Sequence, residues 1–352
     1  MTTTLVPGRP RIGRGPLTMV WRPRLVAVNI GLLVLVFLLL CLNVGQGDYP
    51  ISLPDVAKAI FGGGTDAEHF IVWDLRLPRS VVGVVVGAGF GMSGAIWQSI
   101  TRNPLASPDL LGITMGASAG AVAVIIFGGT TVLGAATSVP GAAMVGALLT
   151  GVVIYLLAWR RGIEGFRLVL IGVAVNGILL ALTNWMLVIG EITDAQEATV
   201  WLNGSLNGRG WGDALPAAVI LGAIGAVALA STFQLSALKL GDDTARALGV
   251  RVQLSQSVLL VASVLLAAMC VTAAGPIGFV AFVAPQVTMR IARTAGPPLL
   301  ASALTGAALV VGSDYIARVL LPVELPVGIV TTAIGGPFLM YLIIRTNRRL
   351  SR

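Results

Sequence analysis

An all-α, polytopic membrane protein is the fold class this sequence predicts, and three observations predict it. Hydrophobic residues make up 56% of the 352 and charged residues only 11%, against about 25% charged in an ordinary water-soluble domain. Mean hydropathy is +0.92. The apolar residues gather in runs near the length of about 20 that crosses a hydrocarbon core as a helix. The 44 glycines and 18 prolines do not mark disorder in so apolar a chain, because membrane helices tolerate both. Cys41 and Cys270 lie in apolar runs, which leaves no disulfide framework and no Cys-based metal centre.

Ten spans follow, at 25–43, 82–100, 111–128, 139–159, 168–189, 214–232, 255–273, 278–292, 298–316 and 327–344. The first is followed by no small-x-small cleavage site, so an uncleaved span fits it better than a signal peptide. The second sets Gly83, Gly87 and Gly91 at i, i+4 and i+8, a helix face without side chains on which a neighbour can pack closely. The fifth carries Asn176, Thr183 and Asn184, with the two asparagines eight residues apart near one face. The eighth is the shortest. Ser93, Gln98 and Thr272 add neutral polar groups inside spans, and no ionisable residue is expected near the middle of any. Such neutral groups either bond helix to helix or line a pathway. The layout is one ten-helix domain over 25–345, between tails at 1–24 and 346–352.

Charge orients this layout. The net charge of +8 comes from 21 arginines and two lysines, Lys58 and Lys239, set singly or in short groups between apolar runs. That pattern suits membrane orientation, not a nucleic-acid face. With an inner N-terminus, 18 basic residues fall inside and 5 outside. The positive-inside rule then puts both termini in the cytoplasm.

Motifs for covalent chemistry are missing. His69 is the only histidine, and no HExxH, GxSxG or Cys/His cluster occurs. Lys58 precedes Ala59 and Lys239 precedes Leu240, so the chain has no P-loop and is no ATPase. Gly89–Gly94 matches GxGxxG, but inside a span with no strand before it, so close helix packing explains it better than a dinucleotide site.

The longest inner connection, 233–254, contains a short helix in which Asp242 or Asp243 can be the N-cap and Gly249 the stop. Leu238, Leu240 and Leu248 supply its apolar side. It can rest on lipid or seat in a groove on a cytosolic partner. On the outer side, Ser52-Leu53-Pro54-Asp55 reads as the start of a capped helix. Arg76, Arg79 and Arg318 stand at outer span ends, either as interfacial anchors or as a docking patch for an acidic protein.

At this point several stretches, in fixed order over about residues 70–345, resemble the FecCD/BtuC family. They are Arg76-Leu77-Pro78-Arg79, then Ser93-Gly94-Ala95 with Gln98, then Arg102-Asn103-Pro104-Leu105-Ala106-Ser107-Pro108-Asp109. Further along come Leu240-Gly241-Asp242-Asp243-Thr244-Ala245-Arg246-Ala247-Leu248-Gly249, Ala274-Gly275-Pro276-Ile277-Gly278-Phe279, Ser313-Asp314-Tyr315, and Glu324-Leu325-Pro326-Val327-Gly328. Residues 158–168 and 201–208 look most like the ferric-enterobactin type within that family.

The resemblance implies a BtuC-like, type II ABC importer permease with ten helices, set in a bacterial inner membrane and importing a ferric siderophore, with a catecholate type favoured. It implies a heterodimer with a second permease of the family, two cytosolic ATPase subunits that hold ATP and magnesium, and an extracytoplasmic binding protein. The permease itself would carry no cofactor and no metal ligand, because the iron arrives chelated. Cobalamin or haem is the alternative cargo, and an ion-coupled carrier the more distant rival. By the same resemblance Leu240, Gly241, Asp242, Asp243, Ala245, Arg246, Leu248 and Gly249 match the family's ATPase-coupling loop. Arg76, Arg79 and Arg318 match its outer docking arginines. Asn176, Thr183 and Asn184 fall on the helix that lines its pathway. One departure stands out: the family usually has a histidine after proline where this chain has Pro285-Gln286.

Overall fold

The computed structural model describes residues 11–12, 19–20, 22–47, 49–128, 138–160, 162 and 164–350, without the side chains of 11, 12, 19, 20, 343 and 345–350. Most of the expected tails, and Arg161, lie outside the described residues. Apart from a two-residue antiparallel pairing of Arg11–Ile12 with Met19–Val20, the regular structure is helical. The helices are α1 (Pro23–Gly45), α2 (Leu53–Ile60), α3 (Asp66–Phe70), α4 (Leu77–Ile100), α5 (Ile113–Phe127), α6 (Val139–Ala158), α7 (Gly165–Ile189) and α8 (Ile192–Leu202). They continue with α9 (Trp211–Ala230), α10 (Thr232–Leu238), α11 (Asp242–Ala247), α12 (Val252–Ala274), α13 (Val280–Ala292), α14 (Leu299–Tyr315) and α15 (Val327–Leu350). A π-helical stretch, Ile71–Arg76, joins α3 to α4, and another, Ile316–Leu320, follows α14.

Each of the ten expected spans coincides with a helix. Seven helical stretches are long and apolar enough to cross a membrane, and α5, α13 and the apolar part of α15 are shorter. Outside the spans, Ser52 caps α2 through its side chain as the sequence suggests. Thr65 and Glu68 close a reciprocal capping box on α3.

α4 is the centre of the bundle. It is buried along almost its whole length and is surrounded by α14, α12, α13 and α9. A Cβ on Gly87 would lie 2.7 Å from the Ala307 Cα, and one on Gly91 would lie 2.9 Å from the Ser302 carbonyl carbon. At these two positions the backbones of α4 and α14 touch, and no side chain fits between them. Gly83, one turn earlier, packs on Leu206 and Val311. The glycines extend beyond that single stripe. Gly94 meets the Ala281 backbone of α13, with a Cβ 2.6 Å from its carbonyl carbon, and Gly89 faces Met269 and Cys270 of α12. Ser93 donates to the Ser263 carbonyl at 2.8 Å, tying α4 to α12 across the same crowded core.

The three short helices have a common geometry. After α4 the chain runs back beside α7 instead of starting a new full span. Thr101 lies against Gly165, Leu111 against Gly172 and Gly112 against Asn176. Asn176 is eleven residues into α7, a climb of about 16 Å at 1.5 Å per residue. Gly112, with φ +87°, then caps α5, a backbone state that suits glycine. From the opposite end, 275–279 also folds inward. The Gly328 N–H donates to the Gly204 carbonyl at 3.2 Å, which sets the start of α15 level with that turn. Phe279 packs beside Gly335, eight residues or about 12 Å into α15. α5 and α13 are therefore half-helices that begin inside the bundle from opposite ends. That accounts for their length.

Glycine contact on α4 has a direct test. Gly87→Ala should lower stability by about 1–3 kcal/mol, the usual cost of overpacking, and appear as a lower melting midpoint in detergent. Gly31→Ala or Gly222→Ala, where a Cβ meets nothing within 4 Å, should hold or raise the midpoint through better helix propensity. Equal responses at all three would remove α4–α14 contact as the basis of the fold.

Candidate functional site

One end of the bundle carries α11. Gly241, with φ +107° and ψ 153°, occupies the N-cap, so neither Asp242 nor Asp243 caps the helix as expected. Both carboxylates are engaged elsewhere: Asp242 pairs with Arg102, and Asp243 pairs with Arg246 at 2.8 Å. Lying in the first turn, they still favour the positive end of the helix dipole. Ala245 and Val250 turn inward and are buried, and Gly249, with φ +81°, ends the element. Leu240 and Leu248 are left pointing out, 64% and 51% exposed. Arg102 also donates through Nε to the Leu238 carbonyl at 3.0 Å. Since Arg102 opens the inward-running 101–112 segment, α11 is bonded directly to the chain that leads into the core.

Beside this loop Lys239 is half-buried, and burial, with the charge of Arg22, brings its pKa down to about 8. Its Nζ approaches the Pro297 carbonyl at 3.4 Å, and Gly296 lies directly beneath it. Lys58 differs: an exposed hydrogen bond to Asp55 holds its pKa above the usual value.

At the opposite end the three expected docking arginines turn inward. Arg76 is 8% exposed and donates to the carbonyls of Val44 at 3.0 Å and Tyr49 at 2.7 Å. It satisfies carbonyls at the C-terminus of α1, where a cation is favoured by the helix dipole. Arg318 donates to the Asn43 carbonyl at 2.5 Å and to its Oδ1 at 3.0 Å. Arg79 pairs with buried Asp314 at 2.8 Å and with Glu324 at 3.0 Å. Together they clamp the end of α1 to α4 and α14. Backbone carbonyls of the same chain surround the Arg76 guanidinium. The charged side chains exposed at this end include Asp66, Asp74, Glu191 and Glu197.

On α7 the three polar residues part company. Thr183 is buried and donates to the Leu179 carbonyl at 2.8 Å, so its placement does not fit a lining role. Asn184 is exposed and Asn176 half-buried. The outward face of α7, with Val173, Ile178, Trp185 and Val188 exposed, is not covered by this chain.

Asp109 is a residue sequence reasoning missed. The inward-running segment carries it deep into the bundle, against the expectation of no ionisable group there. It accepts a hydrogen bond from Thr114 Oγ1 at 2.8 Å and faces the Phe279 N–H. It thus joins the starts of the two half-helices. The available signal was the Asn103-Pro104 and Ser107-Pro108 pair followed by Gly112, which marks irregular backbone. Gln286 takes the position of the family's histidine. It donates to Gln98 Oε1 at 2.7 Å, while Gln98 donates to the Phe282 carbonyl at 3.1 Å, a buried bridge between α4 and α13.

Residues 33–345 match the FecCD transport family. The chain is 40% identical to the ferric enterobactin transport system permease protein FepG of Escherichia coli (strain K12), over 86% of this chain and 91% of that one. It is 40% identical to the achromobactin transport system permease protein CbrC of Dickeya dadantii (strain 3937), over 89% and 90%. It is also 38% identical to a cobalamin import system permease protein, BtuC, of Halobacterium salinarum, over 80% and 75%. Among solved structures, an inward-facing conformation of a metal-chelate type ABC transporter superposes with a TM-score of 0.76 at 27% identity, covering 91% of this chain and 99% of that chain.

The two lysines should separate chemically. At pH 8 about half of Lys239 is neutral, whereas Lys58 stays almost wholly charged, so the labelling rate of Lys239 by an amine acylating reagent should level off above pH 8 while that of Lys58 keeps rising. Peptide mapping after brief labelling across about pH 7 to 10 checks this, and parallel pH profiles for the two lysines would contradict the lowered pKa of Lys239. Above pH 8 the unfolded chain binds more protons at Lys239 than the folded one, so stability from this group rises with pH between about 8 and 10.4.

Proposed function

From a chain that belongs to the FecCD transport family, we infer the membrane permease subunit of an ATP-driven importer of iron chelates, with a catecholate-type ferric siderophore as cargo. Family membership and the iron-chelate permeases at 40% identity support the class. The catecholate reading draws on FepG in particular. Ten membrane crossings, with both termini in the cytoplasm, agree with the ten helices at the ten apolar runs and with the 18-to-5 split of basic residues. On that orientation the α11 end is cytoplasmic.

The observation that carries the mechanism is α11 itself: two exposed leucines on a short element that Arg102 ties to the core. In this reading Leu240 and Leu248 seat in a groove on a separate cytosolic ATPase, which holds the ATP and magnesium. Gly241 and Gly249 give the loop its two tight ends, Ala245 anchors it, and Asp242, Asp243 and Arg246 keep it in shape. Movement of α11 on ATP binding and hydrolysis then pulls through Arg102 on the 101–112 segment, and so on α4, α5 and α7. A second FecCD-type permease covers the open face of α7, and Asn176 and Asn184 border the path between the two subunits. An extracytoplasmic protein delivers the chelate at the opposite end, whose shape Arg79 and Arg318 hold. The permease needs no metal ligand of its own, because the siderophore already fills the coordination shell of the iron.

Leu240→Asp with Leu248→Asp tests the coupling. The double variant should still fold as a monodisperse membrane protein yet lose at least about tenfold in ATPase co-purification, as expected when central apolar anchors are removed. Normal capture of the ATPase by that variant would overturn the α11 assignment. Cargo is tested separately, by uptake of radiolabelled ferric catecholate in competition with cobalamin and haem. Cobalamin is the specific rival, given the 38% identity to a cobalamin permease. Inhibition by cobalamin alone would replace the cargo and leave the machine.

A further inference from the structure

We propose that the seam between α6 and α12 is a phospholipid site, in which one acyl chain fills a cavity inside the bundle and an anionic headgroup rests on the basic pocket beside it. The inference rests on the reading that these helices lie in a bilayer. The cavity measures about 350 Å³ and is almost wholly apolar, walled by Trp97, Ile113, Leu148, Tyr155, Leu168 and Val264. Its rim includes Val152 and Val261, which are 54% and 52% exposed. It therefore opens sideways, onto the face that meets hydrocarbon. An apolar cavity of this kind does not hold water, and the molecules beside it in a membrane are lipid chains.

Two polar features fix which part of a lipid lies where. Trp97 is buried, and its Nε1–H has no acceptor among the described residues. Trp97 is three residues from the end of α4 and Leu168 three from the start of α7, so this part of the cavity lies about 5 Å from the α11 end. Leu148 is ten residues from the end of α6, about 15 Å deep. An ester carbonyl at the shallow end would accept from the indole N–H while the chain runs inward to Leu148. Tyr155 and Trp159, ring to ring at 5.4 Å, stand at the headgroup level favoured by such aromatic residues.

Directly beyond lies a second pocket of about 200 Å³, whose polar lining includes Arg160, Arg167, Glu164 and Gln256, together with Asp242 and Arg246 of the α11 loop, which are paired with Arg102 and Asp243. Gln256 is one turn before Leu260 of the apolar cavity, about 6 Å along α12. Arg167 is paired with Glu164 at 2.8 Å, whereas Arg160 makes no ion pair among the described residues. Arg160 would therefore meet the phosphate, with Arg167 close by, as basic pockets at helix ends do for anionic lipid headgroups.

Trp97 itself is the probe. The full chain is reconstituted in vesicles of phosphatidylglycerol or phosphatidylcholine, with bromine on the acyl chains or without it. Emission from Trp97 is taken as the difference between the wild type and Trp97→Phe. A tryptophan this buried should escape lipid quenching unless a chain enters the cavity. The expected result is about a twofold loss of Trp97 emission in brominated phosphatidylglycerol, and less in brominated phosphatidylcholine. Val264→Phe, which fills the cavity, should abolish the loss, and Arg160→Gln should level the two lipids. Quenching of the six other tryptophans in Trp97→Phe reports immersion in the bilayer. If those are quenched and Trp97 is not, the lipid site is overturned while the importer reading stands. Equal quenching of wild-type Trp97 by both lipids would overturn the anionic headgroup seat.

Discussion

Backbone-to-backbone contact along α4 is the constraint from which the rest of the structure follows. At Gly87 and Gly91 the main chains of α4 and α14 touch, and at Gly94 α4 touches α13. Hydrocarbon is as apolar as leucine, so a membrane bundle gains little by hiding leucine from lipid. It gains instead by close van der Waals approach and by buried hydrogen bonds. That is why α4 concentrates both, with three glycine contacts on different sides and the Ser93, Gln98 and Cys270 bonds between them. The peripheral helices α1 and α7 are strongly apolar yet little covered.

A centre this tight also dictates the half-helices. Chain that must reach the middle without passing through α4 can do so only as irregular backbone whose polar groups are satisfied inside protein. The 101–112 segment does this against the glycines of α7, and 275–279 against the turn at Gly204 and the face of α15. Where the two meet, the starts of α5 and α13 bring together two positive dipole ends. Asp109 supplies the opposite charge. An acid in the core is often a sign of proton coupling. Here one of its oxygens accepts from the Thr114 hydroxyl and the group faces the Phe279 N–H, which makes it a joint between the starts of the two half-helices.

The legible part of the sequence was the part governed by length and period. Every apolar run near 20 residues became a helix, and the i, i+4 spacing of Gly87 and Gly91 fell on a true contact. What stayed hidden depends on where the chain goes between helices. A count along the sequence places Asp109 at a span's edge, because nothing in the residues says that the span starts 16 Å inside. Arg76, Arg79 and Arg318 look like surface charge for the same reason. Their partners are carbonyls of Val44, Tyr49 and Asn43 and the carboxylate of Asp314, and every one of these lies more than 25 positions away in sequence. Thr183 shows the same dependence on local backbone on a smaller scale. Its hydroxyl can bond back to the preceding turn, so a polar residue on a pathway helix need not face the pathway.

These features give the permease one tightly packed core and one lightly anchored element, α11. α11 contributes little core of its own: Ala245 is its single buried side chain, and its carboxylates are spent on Arg102 and Arg246. It is too short to be stable alone, so it keeps its shape only through those bonds. A force on its exposed leucines therefore passes to Arg102 and not into unfolding of the loop. From Arg102 it enters the inward segment, whose contacts with Gly165, Gly172 and Asn176 run the length of a half-span along α7. The same segment that sets Asp109 at the centre thus connects the basic end of the bundle to the uncovered face of α7. A shift of α11 and a change at that open face are then two ends of one rigid connection.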